Sequence, residues 1–283
     1  MIDLHTHSSA SDGSFSPSAL IEEAVKRSLS AIALTDHDTA AGLKEAERTA
    51  LSLGIRFIPG IELEIVWNSA SDFHLLGLGL SKPSPGFTAA VEKIAKSREE
   101  RNLEMVEKMN KAGIDVTYDD IRALSGCAKP EGKYRPSIGR PHFASFLVKK
   151  KLVKNREQAF IRYLARGKPF YIPKERMEFE KAVEIIKESG GIAVLAHPMS
   201  LYTGWGKLPD LILSLKNRGL DGIEAWHPQA KASSCYRLEE LGKKLELFIT
   251  AGSDFHGESR PDRKLGYTAG GKKIDDSYLC HIP

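Results

Sequence analysis

Five of the nine histidines in this 283-residue chain fall in four short clusters, three of which also carry aspartate. Imidazole and carboxylate groups are the side chains that hold borderline and hard metal ions. The clusters extend from the first residues almost to the last, so they could form one site where the ends of successive strands meet. This pattern predicts a metal-dependent hydrolase. The histidines concerned are His5, His7, His37, His197 and His256.

The composition is that of an ordinary globular protein. Hydrophobic residues make up 41% and charged residues 28% of the chain, and the formal charge of +4 suits anionic substrates but is too small for a duplex-binding surface. No apolar run approaches a membrane span, and the N-terminus lacks a signal sequence. Three isolated cysteines form no disulfide framework. We therefore expect a cytoplasmic protein without a membrane, duplex nucleic-acid or obligate protein partner.

Short apolar runs alternate with helical patterns along most of the chain. Strand followed by helix, repeated, favours a parallel sheet or barrel. Two runs, 61–67 and 73–80, are separated only by a short polar loop, which is typical of a hairpin. The strand candidates are 2–7, 31–35, 56–62, 73–80, 191–196, 222–226 and 247–251, and the helix candidates between them are 18–28, 41–53, 180–189, 208–217 and 233–244.

The alternation breaks in the middle of the chain. A long charged helical pattern at 88–112 is followed by three shorter ones, with no convincing strand among them. We interpret this region as a helical insertion between the fourth and fifth strands. The predicted organisation is a discontinuous metal-binding barrel of residues 1–90 and 171–283, with residues 91–170 inserted and contributing to substrate binding.

His5 and His7 lie two residues apart on the first strand candidate. Successive side chains of a strand alternate between its faces, so both imidazoles are expected to point the same way. Asp12 follows in a serine-rich loop, where Asp12-Gly13 alone would be an ordinary turn. Its place just after the two histidines makes Asp12 a ligand candidate.

Acidic residues and histidines follow other strand candidates in the same way. Asp36 and His37 come directly after the second apolar run, at the C-terminal strand end where α/β barrels place their sites. The neighbouring Asp38 could instead cap the next helix. Asp254 and His256 repeat the pattern after the last strand candidate.

Three further residues have competing interpretations. Glu62 could bridge two metal ions, but Glu64 has the same strand parity and competes with it. His74 begins a strand between apolar residues, where it could be structural or a ligand. His197 is the better ligand candidate because it ends a buried strand, which Pro198 terminates.

Together these motifs resemble the PHP (polymerase and histidinol phosphatase) family, whose usual metal-ligand motifs all occur in order along the chain. The resemblance implies an α/β fold, a distorted (β/α)7 barrel, that holds two to three divalent ions. Manganese is the first choice for such mixed ligands, with zinc, iron or magnesium as alternatives. The implied ligands are His5, His7, Glu62 and Asp254 for the first ion, Asp12, His37 and His256 for the second, and Glu62, His74 and His197 for the third.

The chemistry that follows is phosphoester hydrolysis. Metal ions lower the pKa of a water between them, and the resulting hydroxide would attack phosphorus in line with the leaving oxygen. The ions and an arginine would neutralise the charge on the phosphoryl oxygens. Asp36 and His256 are the two candidates for protonating the leaving oxygen, and the sequence does not decide between them.

The insertion resembles one branch of the family, which removes the 3′-phosphate of nucleoside 3′,5′-bisphosphates and degrades short 5′-phosphorylated RNA. The resemblance implies that Arg140, with Arg135 and His142, contacts substrate, since a guanidinium binds phosphate oxygens bidentately. These residues could instead belong to an ordinary helix start with Pro141 in its first turn. His227, at the end of another strand candidate, could contact substrate or be structural.

The predicted function is hydrolysis of nucleotide phosphate monoesters, first of all the 3′-phosphate of nucleoside 3′,5′-bisphosphates, with short RNA as a further substrate. The alternatives are a histidinol phosphatase-like enzyme and a 5′–3′ exonuclease. A more remote alternative is a non-catalytic metal-bound module. Such a module would be expected to lack some ligands, and none of the implied ligands is missing.

Overall fold

The computed structural model describes residues 1–66, 73–124 and 136–283. In this part of the chain, seven strands form one sheet in chain order. Neighbouring strands are parallel, except that the fourth runs antiparallel to the third and the fifth. A bridge between Thr6 and Phe255, beyond the first and last strands, brings the two edges together. The fold is a mixed α/β, nearly closed seven-stranded barrel, and the predicted fold class and hairpin are confirmed.

The strands and helices follow one another much as the sequence predicts. The strands are β1 (Ile2–Asp3), β2 (Ala31–Leu34), β3 (Arg56–Glu64), β4 (His74–Leu78), β5 (Ile192–Leu195), β6 (Gly222–Trp226) and β7 (Phe248–Ala251). The helices are α1 (Pro17–Lys26), α2 (Leu43–Leu53), α3 (Pro85–Lys111), α4 (Tyr118–Arg122), α5 (Arg140–Lys149), α6 (Arg156–Ala159), α7 (Phe179–Glu188), α8 (Leu208–Asn217) and α9 (Ala232–Lys244).

Strand β2 shows how the barrel is packed. All four of its residues are buried. Ala31 and Ala33 belong to the main core inside the sheet, whereas Ile32 and Leu34 pack in a separate cluster with residues of α1 and α2. Side chains of a strand alternate between its two faces, so a strand with both faces covered must be apolar throughout. This is why the strand candidates read as continuous apolar runs.

Several helices begin where local chemistry predicts. Ser16 accepts a hydrogen bond from the Ala19 amide at 3.1 Å, and Pro17 follows as the first residue of α1. Ser84 and Pro85 repeat this arrangement at the start of α3. A serine oxygen satisfies an amide that has no partner within the helix, and proline fits the first turn because it has no amide to satisfy.

The helices of the middle region have a hydrophobic cluster of their own. The C-terminal half of α3 packs there against α4 and α5, and α3 begins at Pro85, before the predicted boundary at residue 91. This packing supports a helical insertion at 91–170, and the division of the chain into domains stays a prediction. The buried members of the cluster include Met105, Met109, Val116, Ile121, Ile138, Phe143, Phe146 and Leu147.

Strand β1 is shorter than the predicted strand at 2–7. It ends at Asp3, so His5 and His7 lie just beyond it rather than on it. Their ring centroids are nevertheless only 5.1 Å apart. Among the helices of the described residues, none is both long enough and apolar enough to cross a lipid bilayer.

Candidate metal centre

Glu62, near the C-terminal end of β3, lies at the middle of a cluster of imidazoles. Its Oε1 atom is 2.8 Å from His74 Nδ1 and 2.9 Å from His197 Nε2. Its Oε2 atom faces the other way and lies 2.8 Å from His37 Nδ1. The side chain is only 1% exposed. One carboxylate therefore faces two groups of histidines. The remaining imidazoles near Oε2, at 3.5 and 3.4 Å, are those of His5 and His7.

The residues predicted for the first and second ions also come together. Ligand atoms of His5, His7 and Asp254 lie within 4.8 Å of one another, and the same holds for His7, Asp12, His37 and His256. The closest approaches are 3.3 Å from His7 Nε2 to Asp254 Oδ1 and 3.1 Å from His256 Nε2 to Asp12 Oδ1. His7 belongs to both groups, whereas the sequence placed it in the first alone. The structure thus gathers all nine predicted ligands around one centre.

The buried atoms of this centre fit metal ions. Several of them form no hydrogen bond within the described residues: His5 Nε2, both ring nitrogens of His7, His256 Nε2, and Glu62 Oε2 despite its 2.8 Å distance from His37 Nδ1. Buried polar atoms are nearly always satisfied, so several such atoms facing one another need an explanation. Divalent cations bind this mixture of nitrogen and oxygen donors. The donor set therefore fits bound metal ions, and the ligand roles remain proposals.

The electrostatics of the centre favour ligand forms for most of its groups. Despite burial, His37 and His74 hold the pKa of Glu62 well below its usual range, and His256 does the same for Asp254. Burial lowers the pKa of His7 to about 3. Metals bind ionised carboxylates and neutral imidazoles, so these shifts suit ligation. His5 and His256 differ. Against the effect of burial, Glu224 and Glu62 raise the pKa of His5 well above its ordinary value, and Asp12 and Asp254 raise that of His256.

Two of the predicted ligands have unusual backbone conformations. His197 has φ of 29° and Asp254 has φ of 53°, in the left-handed region that non-glycine residues rarely adopt. Both follow the ends of barrel strands. Strained residues persist only where surrounding contacts enforce them, and they cluster at functional sites. The turns after β5 and β7 are therefore shaped to direct these side chains into the centre.

Gly252, directly after β7, allows the backbone to pass close to the centre. A Cβ atom at this position would lie 2.3 Å from His5 Cβ and 2.6 Å from Glu224 Oε1. We expect Gly252→Ala to lower the free energy of unfolding by about 1–3 kcal/mol, as overpacking usually does. Urea denaturation checks this, with Gly204→Ala as the control because its Cβ would meet nothing within 4 Å. Equal stability of the two variants would contradict the prediction.

Asp36 lies beside the cluster, and both of its oxygens accept hydrogen bonds from serines of the preceding loop. Its Oδ1 accepts hydrogen bonds from the Ser8 amide at 2.8 Å and the Ser11 hydroxyl at 2.5 Å, and its Oδ2 accepts one from the Ser8 hydroxyl at 2.6 Å. Burial raises its pKa to about 6. Asp36 therefore anchors the loop that carries Asp12. This geometry does not favour its predicted role as the acid for the leaving oxygen.

His256, the other acid candidate, uses its Nδ1 atom within its own turn. That atom lies 2.8 Å from the Asp254 carbonyl oxygen, so an Nδ1–H group would donate there. In the neutral ring, the Nε2 atom then faces Asp12 as a lone pair. The geometry agrees with a ligand better than with a proton donor. The acid role of His256 stays a prediction without support from these contacts.

Asp38 and Glu64 belong to a salt-bridge network at the edge of the centre. Asp38 pairs with Arg98 and with Lys174, and Lys174 Nζ also lies 2.5 Å from Glu64 Oε2. Helix α2 begins after Gly42 without any side-chain cap, so the capping interpretation of Asp38 is wrong. This lysine and an arginine form salt bridges with Glu64, which explains why Glu62 rather than Glu64 lies among the histidines. That arginine is Arg176, 2.6 Å from Glu64 Oε1.

A cationic cavity of about 210 Å³ opens beside the centre. One wall consists of predicted metal ligands, and the others carry basic side chains, mostly from α3 and α5. A small anion that enters the cavity would therefore meet cations and the centre at once. The ligand wall is formed by Asp12, His37 and His74, and the basic residues are Arg98, Arg101, Arg140, Lys174 and Arg260.

Arg101 is the most informative residue of this cavity. It is 6% exposed and forms no ion pair with a carboxylate of the described residues. Burial, together with the neighbouring Arg98 and Arg140, lowers its pKa to about 9. Its Nη2 donates to Asn102 Oδ1 at 2.7 Å, and its Nε has no partner among the described residues. A buried cation is costly unless it is paired, so Arg101 is suited to bind an anion.

The predicted substrate contacts have mixed outcomes. Arg140 begins α5, lines the cationic cavity and lies over the ring of Tyr171. His142 is buried, and its Nδ1 accepts a hydrogen bond from the Gly139 amide at 3.0 Å, which caps α5 as the ordinary helix-start interpretation expects. His227 is also buried and lies near Asp254 rather than in the cationic cavity. Arg135 lies outside the described residues.

Sequence analysis missed a pair of arginines and one glutamate. Arg98 and Arg101 occupy the same helical face as Ile94, Met105 and Met109, all buried. Arginine at apolar-face positions is the signal that could have identified them. The glutamate is Glu224, a charged residue in the middle of the buried run of β6. Its Oε1 lies 2.9 Å from His5 Nδ1.

Comparisons with known proteins agree with this geometry. A family model described as PHP domain matches residues 3–188. The chain is 38% identical over 255 residues to a 5′-3′ exoribonuclease of Haemophilus influenzae, with 90% of this chain and 89% of the relative covered. It is 36% identical over 273 residues to a 3′,5′-nucleoside bisphosphate phosphatase of Chromobacterium violaceum, with 94% and 91% covered. A solved structure of a Chromobacterium violaceum amidohydrolase with bound sulfate superposes with a TM-score of 0.83 at 33% identity, over 97% of this chain and 92% of that one.

Proposed function

The chain belongs to the PHP domain family, and from this premise we propose that it is a metal-dependent phosphoesterase that removes the 3′-phosphate of nucleoside 3′,5′-bisphosphates. Two sources support the proposal: the cluster of nine candidate ligands and the relatives that act on nucleotides or RNA. We include in it two to three divalent ions, with manganese as the first choice, and a cytoplasmic location.

The single observation that carries the substrate assignment is the cationic cavity against the ligand cluster. A bisphosphate needs two anion sites a few ångströms apart, one where the reaction occurs and one that only binds. His37, His74 and Asp12 belong to the cluster and also line the cavity that contains Arg101 and Arg140. A monophosphate would leave the second site unfilled. The arrangement therefore favours substrates with two phosphates.

The residues of the chain have distinct roles in this proposal. The nine candidate ligands would hold the ions, and they are His5, His7, Asp12, His37, Glu62, His74, His197, Asp254 and His256. Bound ions would supply a nucleophile at neutral pH and Lewis-acid stabilisation of the phosphoryl oxygens. Arg101 and Arg140 would bind the second phosphate, because guanidinium groups match its oxygens in geometry and charge. Burial of the centre excludes bulk water and strengthens these interactions.

Degradation of short 5′-phosphorylated RNA is a second candidate function. The relative from Haemophilus influenzae, named a 5′-3′ exoribonuclease, favours it, since its identity to this chain is 38% and that of the phosphatase is 36%. The same two sites could serve both substrates. The cavity would hold a 5′-phosphate, and the phosphate on the 3′ side of the first nucleotide would lie at the centre.

A panel of phosphate esters tests the proposal directly. It contains a nucleoside 3′,5′-bisphosphate, the matching 3′-monophosphate, histidinol phosphate and short 5′-phosphorylated RNA, each with added Mn²⁺. We expect the highest kcat/KM on the bisphosphate. No turnover of any ester by protein shown to contain metal would contradict the enzyme assignment. A preference for histidinol phosphate would contradict the nucleotide assignment alone.

The Arg101→Ala variant tests the second phosphate site. Hydrogen bonds to charged groups contribute about 1.5–3 kcal/mol, so we expect a loss of about 10- to 100-fold in kcat/KM on the bisphosphate. The loss on the 3′-monophosphate should be much smaller, because that substrate lacks the 5′-phosphate. Arg218→Ala is the matched control, since this arginine pairs with Glu180 on the surface. An equal loss on both esters would remove the proposed role of the cavity.

A further inference from the structure

Strand β6 supplies none of the predicted ligands, yet it places a buried carboxylate directly behind the centre. Its register shifts between Glu224 and Trp226, so Ala225 is an extra residue against β7. Such bulges turn side chains to new directions. Trp226 Nε1 donates to Glu239 on α9, outside the sheet, while Glu224 lies against the histidines inside it. The bulge allows two residues that are two apart to face opposite sides.

Both oxygens of Glu224 contact residues of the centre. Oε1 lies 2.9 Å from His5 Nδ1, and Oε2 accepts a hydrogen bond from the His197 backbone amide at 2.7 Å. Glu224 is 1% exposed. Within the described residues, these two hydrogen bonds join the far nitrogen of one predicted ligand and the strained backbone of another, and His227 also lies within 4.8 Å.

The contact with His5 determines which nitrogen of that ring faces the ions. A carboxylate accepts hydrogen bonds, so Nδ1 must carry the proton that it donates to Oε1. In the neutral ring that a metal ion would bind, Nε2 is then left as a lone pair, and it lies 3.5 Å from Glu62 Oε2 and 3.7 Å from Asp254 Oδ1. Carboxylates behind ligating histidines generally act in this way.

We propose that Glu224 is a positioning residue that directs His5 Nε2 toward the first ion and holds the turn that carries His197. The inference deepens the proposed function and rests on its metal centre. It joins ligands of the first and third ions through one side chain. In this proposal Glu224 acts through these two histidines.

Glu224→Gln distinguishes this role sharply, because glutamine cannot serve both contacts. If its amide oxygen accepts from His5, its NH₂ group faces the His197 amide, and two donors oppose each other. If the amide is reversed, its NH₂ group donates to His5 Nδ1 and moves the ring proton to Nε2. Either orientation weakens one ligand while the shape of the side chain is kept.

The test is a titration of metal-free protein with Zn²⁺ alone, in competition with a chelating indicator. We expect Glu224→Gln to bind about 10- to 100-fold more weakly, as loss of such partners usually causes. Glu239→Gln is the matched control. Glu239 accepts hydrogen bonds from Trp226 and Lys243, and among the described residues it contacts no histidine of the centre. Unchanged affinity, even with a lower melting temperature, would overturn the proposal and leave Glu224 a merely structural role.

A second measurement uses the unaltered protein, so it does not depend on whether the Glu224→Gln variant folds. In the zinc-loaded protein, ¹⁵N spectra of the histidine rings should show His5 with a proton on Nδ1 and zinc on Nε2. Zinc on Nδ1 would overturn the proposal, because an ion would then lie between His5 and Glu224. Neither measurement involves catalysis. Inactivity on every ester would contradict the proposed function, whereas the role of Glu224 is decided by metal affinity and by the His5 spectrum alone.

Discussion

Replacement of Glu62 by glutamine is expected to lower kcat by at least about 10³-fold on every phosphate ester that the protein hydrolyses. The two oxygens of Glu62 face different groups of histidines, with one oxygen 2.8 Å from His74 and the other 2.8 Å from His37. Metal ions contribute several kcal/mol to transition-state stabilisation, and each 1.36 kcal/mol is a factor of ten in rate. Steady-state kinetics with saturating Mn²⁺ is the measurement.

Glu64→Gln is the informative comparison, because the sequence alone left Glu62 and Glu64 as competitors. The two residues are two positions apart on β3 and so have the same strand parity, but Glu64 forms salt bridges with Lys174 and Arg176. Its loss should alter the cationic cavity and change KM more than kcat. If the two variants lost the same factor in kcat, the bridging role of Glu62 would be wrong.

Removal of metal with a chelator is expected to abolish activity and to lower the melting temperature, and added Mn²⁺ should restore both. A ligand that binds only the folded state stabilises it by about 2.7 kcal/mol at a free concentration one hundred times its Kd. Without cations, the buried nitrogens of His7 and the buried Oε2 of Glu62 have no partner among the described residues. Elemental analysis and thermal unfolding, measured on the same samples, check the result.

A chelator already saturated with calcium controls for direct effects of the reagent. Full activity in protein shown to be free of metal would contradict the metal-centre proposal altogether. Restoration by Zn²⁺ but not by Mn²⁺ would contradict only the choice of manganese. Loss of activity with an unchanged melting temperature would contradict the expected coupling between metal binding and stability.

Much of the fold could be predicted because its signals are local. Continuous apolar runs such as β2 are typical of a sheet covered on both faces, and serine followed by proline is typical of helix starts such as those of α1 and α3. The predicted C-terminal boundary of the first strand was wrong, since His5 and His7 lie beyond β1. Strand ends depend on pairing with other strands, which local sequence does not report.

The residue types at the strand ends determined the kind of chemistry. Histidine and carboxylate after several parallel strands must approach one another when those strands close into a barrel, because their C-terminal ends share one edge. That argument needs only the order of elements along the chain. It brought His37, His197 and Asp254 into one site before any distance was known.

Only the tertiary structure decided which partners each single residue has. Glu64 differs from Glu62 because it forms a salt bridge with Lys174, which lies far away along the chain. Asp36 differs from Asp12 because it accepts hydrogen bonds from Ser8 and Ser11. The same is true of Arg101, whose charge matters because no carboxylate of the described residues pairs with it. Burial and pairing are properties of the packed chain, and they determine which of several identical side chains is left free to bind.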